Sequence, residues 1–476
     1  MTGDLIFGFS YEVVALVGMF FCYLLLFTEK MNRAVVTIMI AGAMVMLGVI
    51  SQKNAINAID FNTISLLIGM MIVVNVAERS GMFQYVAIWG AKKVKAHPLW
   101  IMVVLGVVTA VFSAFLDNVT TVLLIVPVSV QIANKLEVNP YPYLLINIFA
   151  SNIGGTATLI GDPPNILIGS ALGLSFTDFL VNLAPVILVI LVGLLMMFIY
   201  FWRDSLKASL KNRAVVMNIN EKDAITDWRL LKISLGVLTG VISGFVMAEH
   251  LGLNNGFIAL MGAGVCLLLY TLGCSHSKRD ERVEDVLNRV DWTTIFFFIG
   301  LFVIVGALEK TGFLHKMGRY FIEITDGSIK KSVFVILGVS AVFSAAVDNI
   351  PFVATMIPMI KTMEEAMGGR EVMMPVWWAL SLGACLGGNG TLIGASANVI
   401  VAGIASREGR AISFLRFLIW SIPVMVMSVL VSGVFLYIKY YFVFVFFVRM
   451  LLPYPLPLKY ITFSKATHIH IKLYHI

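Results

Sequence analysis

Two carboxylates stand where an apolar chain should not carry them. Asp117 follows Phe112-Ser113-Ala114-Phe115-Leu116 and precedes Asn118, with Pro127 further on. Asp348 follows Phe343-Ser344-Ala345-Ala346-Val347 and precedes Asn349, with Pro358 at the same remove. An ionisable side chain at the centre of a membrane helix costs at least about 2.5–3.5 kcal/mol, so it is read as functional. A carboxylate in an apolar site also holds its proton more tightly, which suits it to exchanging a proton for a cation. Another pair of strings lies beyond each tip. Gly154-Gly155-Thr156-Ala157-Thr158-Leu159-Ile160-Gly161 with Asn165 matches Gly387-Gly388-Asn389-Gly390-Thr391-Leu392-Ile393-Gly394 with Asn398. Their glycines permit unwound backbone whose carbonyls can ligate a cation, while the N-terminus of the resumed helix favours an anion. Thr156, Thr158, Asn389 and Thr391 add neutral polar groups, and Asn165 and Asn398 can close the broken backbone. Asp162-Pro163-Pro164 occurs in the first half only, so the two sites are chemically unequal.

Each motif has a plainer reading. Asp117 and Asp348 could simply cap the helix that follows, as could Asp162. The glycines could serve close helix packing alone. Against the first, both copies keep the asparagine, and the sequence places no Lys or Arg at the depth of the tips. Glu78 and Glu309, beside Arg79 and Lys310, read as interfacial charges rather than ligands, and Asn75 as a polar contact between helices. Asn147, Ser151 and Asn152 fall near the first site but have no repeat partner to support them.

The elements that must hold these residues are membrane helices. The 476 residues are 59% hydrophobic and 13% charged, against about 25% charged in soluble domains. The formal charge of +7 then needs no nucleic-acid partner, since Lys and Arg outside the spans set orientation. Spans are expected over 11–27, 34–50, 64–77, the broken stretch 143–172 and 179–201. The pattern restarts at 230–247, 256–272, 293–308, 376–403 and 414–438. Amphipathic interfacial pieces fall at 81–95 and 313–321, and re-entrant hairpins at 99–132 and 333–360, their arms short for a full crossing. The fold class is an all-α polytopic membrane protein: about ten spans in two five-span repeats, 1–203 and 230–439, joined by the polar linker 204–229. Five crossings per half make the second repeat inverted, the architecture of alternating access around a midplane site. Lys and Arg concentrate on the side of the linker, which makes that side cytoplasmic and puts both termini outside.

The N-terminus carries Asp4 and Glu12 but no early Lys or Arg, so the first apolar stretch is expected to remain as a span. The four cysteines have neither metal-ligand nor disulfide spacing. The atypical tail, 440–476, ends in His468, His470 and His475, and no function is assigned to it.

At these motifs the chain resembles the ion-transporter superfamily of arsenite-efflux permeases, citrate and dicarboxylate permeases, sodium/proton antiporters and the P protein. The matching strings are Leu116-Asp117-Asn118-Val119-Thr120-Thr121 and Asn152-Ile153 through Asp162-Pro163-Pro164-Asn165. The longer string is most similar to the arsenite-permease and P-protein branch. In the related dicarboxylate symporters the tips carry Ser-Asn-Thr, which binds sodium and substrate carboxylate. Asn118 and Asn349 match that central Asn, Asp117 and Asp348 stand at the Ser, and Val119 and Ile350 at the Thr. The resemblance therefore implies a proton or sodium as coupling ion, with sodium at Asp117, Asn118, Asp348 and Asn349. It suits an uncharged or weakly charged solute such as arsenous acid better than a dicarboxylate. The expected protein is a plasma-membrane secondary transporter with no resident cofactor. Its partners are a small-molecule or ion substrate and the bilayer, with a second copy of the chain left open. Sodium/proton antiport and citrate permeation are the alternatives. An intramembrane aspartyl protease would also pair two carboxylates, but no Gly-x-Gly-Asp string is present. A channel would show diffusive conductance rather than saturable coupled flux.

Overall fold

The computed structural model of the protein describes residues 5–6, 8–28 and 30–442. The histidine-bearing end of the tail lies outside the described residues. Sixteen helices carry the spans, hairpins and breaks of the two halves, beside further helices at Gln52–Ala58, Met82–Lys93, His276–Asn288 and Phe313–Ile324. In the first these are α1 (Tyr11–Thr28), α2 (Arg33–Met46), α3 (Phe61–Glu78), α4 (Pro98–Phe115), α5 (Asn118–Lys135), α6 (Tyr141–Thr156), α7 (Pro163–Leu172) and α8 (Phe176–Trp202). The second has α9 (Trp228–Leu251), α10 (Asn255–Thr271), α11 (Trp292–Lys310), α12 (Ile329–Ala346), α13 (Asn349–Ala366), α14 (Arg370–Gly387), α15 (Ser396–Arg407) and α16 (Phe414–Tyr437). Eight of these, α1, α3, α4, α8, α9, α11, α12 and α16, are long and apolar enough to cross a membrane; α2 and α10 are shorter apolar helices. A two-residue hairpin, Leu5–Ile6 with Phe9–Ser10, is the only strand pair among the described residues.

Local chemistry sets the boundaries. Asn32 caps α2, Asp60 caps α3 and Asp291 caps α11, each carboxylate or amide oxygen accepting from backbone N–H groups of the first turn. Pro163 and Pro164 open α7, where a missing N–H costs nothing. α2 stops at Met46 rather than running to residue 50, because Gly48 turns the chain at φ +75°. The segment between the halves is not featureless either, since it carries a helix at Leu210–Met217. The arms of both helix–turn–helix units are 18 residues. At 1.5 Å per residue that is about 27 Å, longer than the sequence suggested.

The halves pack reciprocally. α2 lies against α11 as α3 lies against α10; α7 meets α13 as α15 meets α5; the broken helices α6 and α14 meet each other. The close approaches repeat as well. A Cβ on Gly69 would strike Ala259, and one on Gly300 would strike Thr37. Such exchange of equivalent partners is what a two-fold relation between halves produces. All sixteen residues of α6 are buried, as are Trp377 and Trp378 of α14. A helix buried on every face, with its few polar groups hydrogen-bonded inside, belongs at the centre.

Candidate functional site

The breaks in the central helices and the turns of the hairpins come together. Asp162, immediately before α7, is 1% exposed and makes no capping bond to its own helix. Its Oδ1 instead accepts from Asn118 Nδ2 and from Asn349 Nδ2, each at 3.4 Å, while its Oδ2 has no hydrogen-bond partner. One carboxylate from the first half thus receives both tip asparagines.

Asp117 and Asp348 both cap the returning arm. Asp117 Oδ1 accepts from Thr120 N at 2.8 Å and its Oδ2 from the Thr120 hydroxyl; Asp348 Oδ1 accepts from Ile350 N at 3.0 Å. Beyond this they differ. The expectation that no cation reaches the tips is overturned by Arg33. This first residue of α2 reads in sequence as a loop charge, but its side chain turns inward along the start of α11, over the Phe297 ring. Its guanidinium lies 3.9 Å from Asp348 and 3.7 Å from Asp291, and donates to Ser396 Oγ at 2.8 Å and Thr294 Oγ1 at 2.7 Å. No cation pairs with Asp117 among the described residues.

The linker residues are mostly spent on the fold. Thr158 and Thr391 donate to the carbonyls of Ala114 and Ala345, tying each break to its hairpin, and Thr156 donates to Asn152 O. Asn165 Nδ2 bridges the carbonyls of Thr156 and Thr158, and Asn398 Nδ2 those of Gly388 and Thr391, the closure of broken backbone read from sequence. Gly154 lets α6 touch α4, since a Cβ there would lie 2.2 Å from Ala110 O. Gly387 serves the same contact between α14 and α12. Gly155 and Gly388 face the carbonyls of Gly161 and Gly394 across each break. Asn152 joins the site after all: it accepts from Asn118 and donates to Asn389 and Asn398, binding the two halves at their breaks. Asn389 Nδ2 is buried without a partner. Asn147 and Ser151 are satisfied inside the packing.

A cavity of about 560 Å³ reaches this cluster. Asp117, Asn118, Asp162 and Asn349 lie on its wall, together with Asn75, whose Nδ2 is buried and unpartnered, and Glu78. Both face the cavity from α3, Glu78 at the span end in an ion pair with Arg289, whereas Glu309 is exposed. Glu78 and Arg289 also border the groove against residues 219–226, so the cavity opens on the side of the inter-half segment. Four carboxylates (Glu78, Asp117, Asp162, Asp291) and two guanidiniums (Arg33, Arg289) line it. Both guanidiniums already face carboxylates, Arg289 lying 3.8 Å from Glu78. Asp117 and Asp162 are left without a cation. No cluster of three or more metal-ligating side chains occurs among the described residues.

Residues 23–383 match the family model described as CitMHS, citrate transporter. The chain belongs to the citrate transporter family. An uncharacterized transporter of Mycobacterium tuberculosis H37Rv is 41% identical over 434 residues, spanning 90% of this chain and 99% of that protein. The P protein of Mus musculus is 32% identical over 88% of this chain and 59% of its own length. The fold is similar to that of the YdaH transporter of Alcanivorax borkumensis, with a TM-score of 0.56 at 13% identity over 90% of this chain and 98% of that one. This member of the family is a multi-pass membrane transporter, and that kinship speaks against the protease alternative.

Proposed function

We propose that this citrate-transporter-family protein is a secondary transporter driven by a proton or sodium ion, moving a small, weakly charged solute by alternating access. The observation that carries the coupling is Asp162. A buried carboxylate with no cation beside it is stable only when a proton or a cation neutralises it. Its two amide partners come from opposite halves, so loading it changes how both tips are held. The tip pairs Asp117–Asn118 and Asp348–Asn349 supply further oxygen donors for sodium. The repeats 1–203 and 230–439 are the units whose exchange of roles gives access from each side, and the hairpins are re-entrant, their turns meeting the mid-span breaks.

For the solute, arsenite leads. Arg33 offers a positive charge, but two carboxylates already share it, and the cavity carries a surplus of acid. A polyanion such as citrate finds little there beyond helix N-termini. The acid surplus also favours a second reading, sodium/proton antiport. Proteoliposomes under an imposed pH or sodium gradient, tested with arsenite, sodium, citrate and succinate, decide among these. Gradient-driven, saturable arsenite flux is expected, along with lower arsenite accumulation in cells lacking their own pump. Strong citrate or succinate uptake without an arsenite response would overturn the substrate reading.

A further inference from the structure

Arg33 joins two parts of the molecule that otherwise pack mainly within themselves. One is a frame made of α2, α3, α10 and α11; the other holds the hairpins and broken helices, α4–α7 and α12–α15. Arg33 starts α2 in the frame, and two of its contacts, Asp291 and Thr294, belong to α11 of that frame. The other two, Asp348 and Ser396, belong to the hairpin tip and the resumed broken helix of the second half. Its side chain is about one-quarter exposed, at 27%, so the pairing is only partly screened by water.

The two-fold relation identifies its counterpart. Thr37 sits on Gly300 as Ala259 sits on Gly69, which aligns Thr37 with Ala259. Four residues earlier, Arg33 aligns with Asn255, the first residue of α10. Asn255 is uncharged, and its Oδ1 is buried without a partner. In an inverted-repeat carrier the state open to the opposite side is reached by the halves exchanging roles. The contact replacing Arg33–Asp348 would then be Asn255–Asp117, an amide in place of a guanidinium.

We infer that Arg33 is an electrostatic latch present in one orientation only, and that it holds the unloaded carrier open towards the side of the inter-half segment. The two orientations differ by one charge-assisted contact, so the resting equilibrium is tilted without any ligand. Arg33 is a positioning residue here: it acts on the tip, not on the cargo. The inference rests on the alternating-access reading.

The test uses the full chain in right-side-out and inside-out membrane vesicles. Native cysteines are replaced, and Met71→Cys places one thiol on the cavity wall. A membrane-impermeant maleimide should label it fastest from the side of residues 204–229. Arg33→Gln should slow that labelling by at least about threefold and speed labelling from the other side, while Arg33→Lys should keep the native rates. Native rates in a folded Arg33→Gln protein would overturn the latch. Should that variant fail to fold, Asn255→Arg in the same Met71→Cys background, with Arg33 intact, supplies the missing counterpart charge. It should raise labelling from the opposite side, and no change would equally overturn the inference. Labelling needs no known cargo: unchanged rates beside intact coupled flux reject the latch alone. One-sided labelling in every variant, with no flux of any solute, rejects the transport reading and the latch together.

Discussion

Asn118 and Asn349, 231 residues apart, donate to the same carboxylate oxygen of Asp162, each at 3.4 Å. Equivalent residues of a duplicated chain thus converge on a residue that was never duplicated, since Ala395 stands where Asp162 would recur. The repeat builds two tips, and the departure from the repeat gives them a common partner.

That geometry separates two substitutions at one position. Asp162→Asn keeps an oxygen for both amides but carries no charge, so the protein should fold and insert normally. Gradient-coupled flux should nevertheless fall by about tenfold or more, because no proton or cation can be loaded there. Asp162→Ala removes the acceptor, leaving Asn349 Nδ2 without a partner, at about 1–3 kcal/mol, and Asn118 Nδ2 with Asn152 Oδ1 alone. Its thermal unfolding in detergent should come well below that of Asp162→Asn. Native coupling in Asp162→Asn would sink the role given to this carboxylate.

Much of this was legible because duplication writes the same chemistry twice. The hairpins, the broken helices and the closure by Asn165 and Asn398 follow from strings that recur at fixed offsets, and helix bounds recur with them. Asymmetric features were the ones hidden. Arg33 precedes an apolar run like any interfacial cation, and nothing local says that a long side chain will turn inward to Asp348. Asn152 aligns with Cys385, so the repeat argued against it, yet it bridges the halves. Asp60 and Asp291 recur 231 residues apart, but only packing shows Asp291 facing the cavity. The glycines carried a real ambiguity. Position 154 is needed for helix contact, a role periodicity cannot distinguish from ion ligation.

Glycine positions therefore give opposite expectations by location. At Gly154 an added Cβ meets backbone, Ala110 O at 2.2 Å and Ala110 Cα at 2.5 Å, which no rotamer can relieve. Gly154→Ala should lower stability by about 1–3 kcal/mol, as overpacking does. Gly240, inside α9, has nothing within 4 Å of its would-be Cβ. Gly240→Ala should raise stability by about 0.5–1 kcal/mol, because the unfolded chain then has less conformational freedom to lose. Thermal unfolding of the purified protein in one detergent reads both. Equal effects at the two sites would contradict the packing described for α6 on α4.

The last expectation concerns pH on the linker side, outside the spans. Asp285 lies on the helix His276–Asn288 between α10 and α11, and its carboxylate pairs with Arg79 at 2.5 Å. The hydrogen bond from Arg79 holds the Asp285 carboxyl below its ordinary range, with the charges of Arg79 and Arg289 adding to it. A carboxyl depressed on folding contributes stability that is present above its unfolded pKa and lost as pH falls through the lower folded value. The tether should therefore be flat from pH 8 to 5 and release only below about 4. Hydrogen exchange of amides in 276–288 is the measurement, and high salt should speed it, since the Asp285 end of the pair is half exposed. Asp285→Asn should show fast, pH-independent release at neutral pH. A rise in exchange between pH 7 and 5 would overturn the Asp285–Arg79 tether.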